Sequence, residues 1–167
     1  MDRRVVLLVA QGYEDDEIVD KAHVTLAAID SVLRDFRVRV RHHLQPVIGQ
    51  RITRLELALY VLQHIITRDE QEAWTAEAEA AIKLLTDYSL LNERALLVAT
   101  RAAEPRNFGL EYAALARAMG KYNAKLIQQI LRPLWEALGC SPIRLRTIFY
   151  LIARRDEKKQ TRAGAYA

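Results

Sequence analysis

One cysteine, Cys140, is all the chain contains, and a disulfide within it is therefore excluded. That count fits a reducing compartment better than a secreted, stapled scaffold. Glycine and proline are scarce, at 6 and 4 residues in 167, too few for the closely spaced turns of a β-sandwich. Long Val/Ile/Thr alternations are missing, while Ala, Leu, Arg and Glu are plentiful. The expected fold class is all-α, a helical bundle of seven to nine helices with an N-terminal helix-turn-helix. No apolar run approaches the ~20 residues of a membrane span, and the run Val5 to Ala10 is too short for a signal peptide. The expectation is a cytoplasmic protein without a membrane partner. A glycine-rich phosphate loop, a GxSxG elbow, HExxH and CxxC are absent too. No enzyme activity and no cofactor are expected. The adjacent His42 and His43 cannot face one way on a helix and have no acidic or Cys partner at ligand spacing, so no metal is expected either.

What is present is apolar surface, 51% of residues, and an uneven charge distribution. Residues 1–68 hold ten basic and nine acidic side chains, a net of +1. Residues 69–104 hold three and eight, a net of −5, a poor place for nucleic acid and a good one for a solvated face. Residues 105–167 hold twelve and four, a net of +8, so the overall +4 comes from the C-terminal third.

The most informative stretch is Leu8 to Leu33. Gly12 breaks the chain after a short apolar run, and Asp15 or Asp16 can cap the helix that follows, Asp16 to Ala22. His23-Val24-Thr25 is a turn, with Thr25 placed to cap the next helix. Ala28, Ile29, Val32, Leu33 and Phe36 then recur at helical spacing. Helix, short turn, helix is the skeleton of the helix-turn-helix. The string LVAQGYEDDEI, followed by Val24-Thr25 and then by Ile29 and Leu33, resembles the C-terminal DNA-binding domain of LuxR-type regulators. Gly12, Glu17, Ile18, Val24, Thr25, Ile29 and Leu33 match that pattern without a gap. The continuation RDFRVRVRHHL resembles the basic helix end of region four of sigma factors. The resemblance spans residues 5–44 and implies double-stranded DNA as partner and a homodimer as the binding form. It departs from the family at Ala27, Ala28, Asp30 and Val32, where polar or basic side chains are usual.

The rest divides into a helical bundle over 46–155 and a disordered tail over 156–167, after a first segment 1–45. Gln50 to Arg68 reads as one central core helix, Asp69 to Tyr88 as the next, and Asn107-Phe108-Gly109 as a loop. Pro133 predicts a kink or a fresh helix start. A second helix-turn-helix cadence lies at 131–153, with Leu138 to Ser141 as the turn, Ser141 as cap and Pro142 at the first helical position. The leading function is a DNA-binding transcriptional regulator. Phosphate contacts are assigned to Arg34, Arg37, Arg39 and Arg41, and base contacts to Thr25 or to Arg144 and Arg146, with the basic C-terminal third supplying more of the affinity. The alternative is a protein-interaction module, an adaptor or anti-regulator, that docks a protein partner through the donor-poor face of Ala27, Ala28 and Val32.

Overall fold

The computed structural model describes residues 2–44 and 51–165, and all of its regular structure is helical. Ten helices follow one another among the described residues: α1 Arg3–Ala10, α2 Asp15–Ala22, α3 Leu26–Leu44, α4 Arg54–Tyr60, α5 Arg68–Asp87, α6 Glu93–Ala103, α7 Pro105–Phe108, α8 Tyr112–Met119, α9 Ala124–Leu138 and α10 Pro142–Ala165. The fold class expected from composition is therefore the one observed, with one helix more than the upper count. The break expected at Pro46 and Gly49 lies outside the described residues.

Caps set most helix starts. The Thr53 and Thr67 hydroxyls accept from the Glu56 and Glu70 backbone N–H, and the two glutamates reach back to the threonine amides. Asn92 and Asn123 accept from Ala95 N and Leu126 N at 2.8 Å each. Each closes one of the unpaired amides at a helix start.

Sequence expectation and structure part in four places. The apolar stretch after Gln50 is not one α-helix: α4 ends at Tyr60 and the chain widens into a π-helical turn, Val61–Ile65. That turn puts His64 on the surface, 4.8 Å from the Tyr60 ring. Residues 105–108 form a short helix rather than a loop, begun by Pro105 and anchored by the buried Asn107 and Phe108. α9 continues through the exposed Pro133, so the fresh helix start, one of the two outcomes expected there, does not occur. Finally, the stretch 156–167 is expected to be a disordered tail, and its residues 166–167 lie outside the described residues; the described part continues α10, which runs to Ala165 and is exposed over 156–164. Its residues are good helix formers, and they extend a helix already nucleated by packing.

One core joins all of this. Val5, Val6 and Val9 of α1, Ile18 of α2 and Ile29, Leu33 and Phe36 of α3 belong to the same buried cluster as Leu57, Leu85, Val98, Phe108, Ile127 and Leu151. Residues 2–44 are thus part of the bundle, not a domain beside it. α10 is the central strut. Its first half packs on α1, α4, α5, α6 and α9, and Leu145 to Leu151 are buried without a gap.

Candidate nucleic-acid interface

The helix-turn-helix forms where the spacing placed it. α2 opens with Asp15, Asp16 and Glu17 in its first turn, where carboxylates suit the positive helix end. It ends at His23, which takes the left-handed conformation (φ 55°) that reverses the chain. Thr25 Oγ1 then accepts from Ala28 N at 3.1 Å and starts α3. Ile18, Ala22, Ile29, Leu33, Phe36 and Val40 bury the inner faces of both helices.

The outer face of α3 is open. Ala27, Asp30, Ser31, Arg34, Val38 and Arg41 recur at helical spacing and are all exposed. Covering ~21 Å of helix at 1.5 Å per residue, they form a stripe long enough to lie along a groove. Arg34, Arg39 and Arg41 are exposed, and no ion pair engages them among the described residues. Arg37 differs. It is half-buried, and its Nε donates to Ile52 O at 2.9 Å, tying α3 to the chain before α4. Burial first, then the nearby charges of Arg51 and Arg54, pull its guanidinium below the usual range. Its role in this fold is internal, which corrects its assignment to phosphate.

The face proposed for a protein partner also needs correction. Ala27 is exposed, but Ala28 and Val32 are half-buried, and Val32 packs against the core. The apolar side chains that α3 turns outward are Leu26, 57% exposed, and Val38, 63% exposed. Periodicity alone did not single out Leu26, because it is in phase with Ile29, Leu33 and Phe36 and is exposed as the first residue of α3.

The second helix-turn-helix cadence is real as geometry: Gly139 ends α9 in the left-handed conformation and Ser141 caps α10. Its arginines are engaged within the fold, however, Arg146 buried and Arg144 half-buried. Arg146 is 4% exposed, and its Nη1 donates to Asn107 O at 3.2 Å and Phe108 O at 2.8 Å. Arg144 reaches Gln11 O and the Glu77 carboxylate, both at 3.4 Å, and lies 5.4 Å above the Tyr13 ring. Both assignments to base contacts are thereby corrected: these side chains hold the bundle together.

The start of α10 is instead the lock for the end of α1. The last carbonyls of a helix lack partners within it. Here three successive ones, Ala10, Gln11 and Gly12, accept from Thr147 Oγ1, Arg144 Nη1 and Ser141 Oγ. Gly12 makes the approach possible. Its φ of +83° suits glycine, and a Cβ there would stand 2.4 Å from Arg144 N. The glycine that carries the LuxR-type resemblance is therefore also the residue on which the two helix-turn-helix segments meet.

Cys140 is half-buried beside this junction, and burial pushes its thiol up to about 11, which leaves it a poor nucleophile. No group of three or more His, Cys, Asp or Glu able to hold a metal ion occurs among the described residues. No helix among them is long and apolar enough to cross a membrane. The chain matches no protein-family model, and comparison with curated proteins and with solved structures finds no significant match.

Proposed function

We propose that the chain binds double-stranded DNA through α3, as a transcriptional regulator, with a homodimer as the binding form that the LuxR-type resemblance implies. The observation that carries this reading is the open α3 stripe. The helix that a helix-turn-helix lays in the major groove keeps its outer face free, and Arg34 and Arg41 stand exposed along it, with Arg39 exposed on the flank. Thr25 and Ser31 lie towards the N-terminal end, the part of such a helix that reaches base edges. The phosphate contacts are assigned to Arg34, Arg39 and Arg41 alone, because Arg37, Arg144 and Arg146 are engaged within the fold. Asp30 on the same stripe opposes phosphate and favours a register that keeps it over base edges rather than over the backbone. Fluorescence anisotropy with random duplexes at low salt tests the reading. Binding is expected, and the Arg34→Ala/Arg39→Ala/Arg41→Ala protein is expected to lose it. Absence of binding even at low salt sinks the idea, since non-specific affinity is electrostatic.

A second reading rests on Leu26 and Val38. Both are large, apolar and exposed on α3, and each offers a protein partner an apolar contact. A stoichiometric protein partner lost on Leu26→Asp or Val38→Asp, together with no DNA binding, distinguishes this interaction module from the first reading.

A further inference from the structure

Arg146 is a nearly buried cation with no counter-ion among the described residues. Charged side chains are almost never so buried unless paired, yet no carboxylate forms an ion pair with it among the described residues. Its Nη1 uses both hydrogens on the carbonyls of Asn107 and Phe108. That leaves Nε–H and the Nη2 hydrogens, the side-on edge of the guanidinium. They make no hydrogen bond to the described residues, and no buried side-chain nitrogen there is sealed off without a partner. Arg146 is also one of the residues lining an adjoining cleft.

The cleft holds ≈ 400 Å³ between α4, α8 and the start of α10, within the size range of small-molecule sites. Leu55, Ala113, Pro142 and Ile143 give it apolar walls, and Tyr112 closes one side. The Tyr112 ring is held in place from both directions. It lies 5.7 Å from the Arg146 guanidinium and stacks on Trp135 at 6.4 Å with 5° between planes. Glu111 stands at the exposed rim.

We propose that this cleft is a binding site for a small monocarboxylic acid with an apolar body, its carboxylate gripped by Nε and Nη2 of Arg146. A planar carboxylate matches two parallel N–H groups, and the walls offer an acyl chain or ring apolar contact. The site holds one full positive charge and a rim glutamate, so phosphate and dicarboxylates fit it poorly. The inference stands independently of the DNA reading, because the cleft involves no residue of α3.

Isothermal titration calorimetry on the full chain tests it, with octanoate, 4-phenylbutyrate, neutral 4-phenylbutanamide, inorganic phosphate and a short apolar peptide with a free C-terminus as probes. One-to-one binding of the two carboxylates is expected, with the amide and phosphate at least about tenfold weaker, the usual loss when a charge-assisted pair is removed. Arg146→Lys keeps the charge but not the fork and is expected to weaken octanoate by a similar factor. Ala113→Trp, at an exposed wall position, fills the cleft without touching Arg146 and is expected to abolish binding while the helical circular dichroism is unchanged. The proposal is overturned by no carboxylate binding at millimolar concentration, by equal binding of acid and amide, or by undiminished binding to Ala113→Trp. It is overturned as a small-molecule site if the peptide binds tenfold more tightly than both acids.

Discussion

At the scale of single residues, the chain uses its few unusual side chains to join segments far apart in sequence. Gly12 is the sharpest case. An alanine there meets both a positive φ and the α10 backbone. Gly12→Ala is expected to destabilise the protein by at least about 2 kcal/mol, the cost of left-handed strain plus displacement of a packed helix, read from the urea midpoint. An unchanged midpoint contradicts the close approach. Glu70 is the second case. The guanidinium of Arg3 beside it, aided by Thr67, holds its carboxyl at about 2, well below the usual carboxylate range. The lowered value means that the folded state binds the proton less readily than the unfolded one. The stabilisation is complete above about pH 4.5 and is lost as pH falls towards 2. The pair is largely solvated, so the effect is expected to be small, no more than about 1 kcal/mol. Thermal melts of Glu70→Gln should fall below the parent at pH 7 and converge with it near pH 2.5; a constant gap across that range assigns the effect to packing instead.

At the scale of elements, α2, its turn and α3 were legible because each signal is local. The acidic first turn, the Thr25 cap and the spacing of Ile29, Leu33 and Phe36 all act within a few residues. The same holds for the α9–α10 turn at Gly139 to Ser141. What could not be read was the use of each element. Nothing near Arg146 in the sequence distinguishes it from a solvated arginine, since its partners lie almost forty residues upstream, at Asn107 and Phe108. Its place between Leu145 and Thr147, with no polar run around it, is the one available hint. Arg37 likewise continues an alternation of arginine and valine, and only the approach of Ile52 makes it internal. The π turn after Tyr60 arises among apolar residues that an α-helix would accept equally well. The contact of α10 with α1 gives an element-scale prediction. Thr147→Val keeps the side-chain shape but leaves the buried Ala10 carbonyl without its donor. A loss of about 1–3 kcal/mol is expected, measured by denaturant unfolding, and a neutral result means that this carbonyl finds another partner.

At the scale of the whole molecule, the helix-turn-helix is an integral corner of one bundle rather than a separate module. α1 shares its core with α4 and α10, and α3 packs on α1, α2 and α4, so the outer face of α3 is presented by the same packed core. Net charge by segment pointed to the C-terminal third, yet the two arginines singled out there hold the fold together, and the basic residues beyond Ala153 extend an exposed helix. Charge summed along a sequence cannot tell a guanidinium on a carbonyl from one in solvent. The α3 account therefore makes a sharper claim than the charge totals: phosphate contact comes from Arg34, Arg39 and Arg41, and Arg144 adds nothing. The most direct measurement is the salt dependence of duplex binding for the parent, the triple alanine variant of those three arginines and the charge-removing Arg144→Gln. The expectation is that log Kobs against log salt becomes shallower by about 2–3 for the triple variant, near 0.9 for each phosphate contact removed, and that Arg144→Gln keeps the slope of the parent. Equal slopes for the parent and the triple variant, or a slope made shallower by Arg144→Gln, would contradict it.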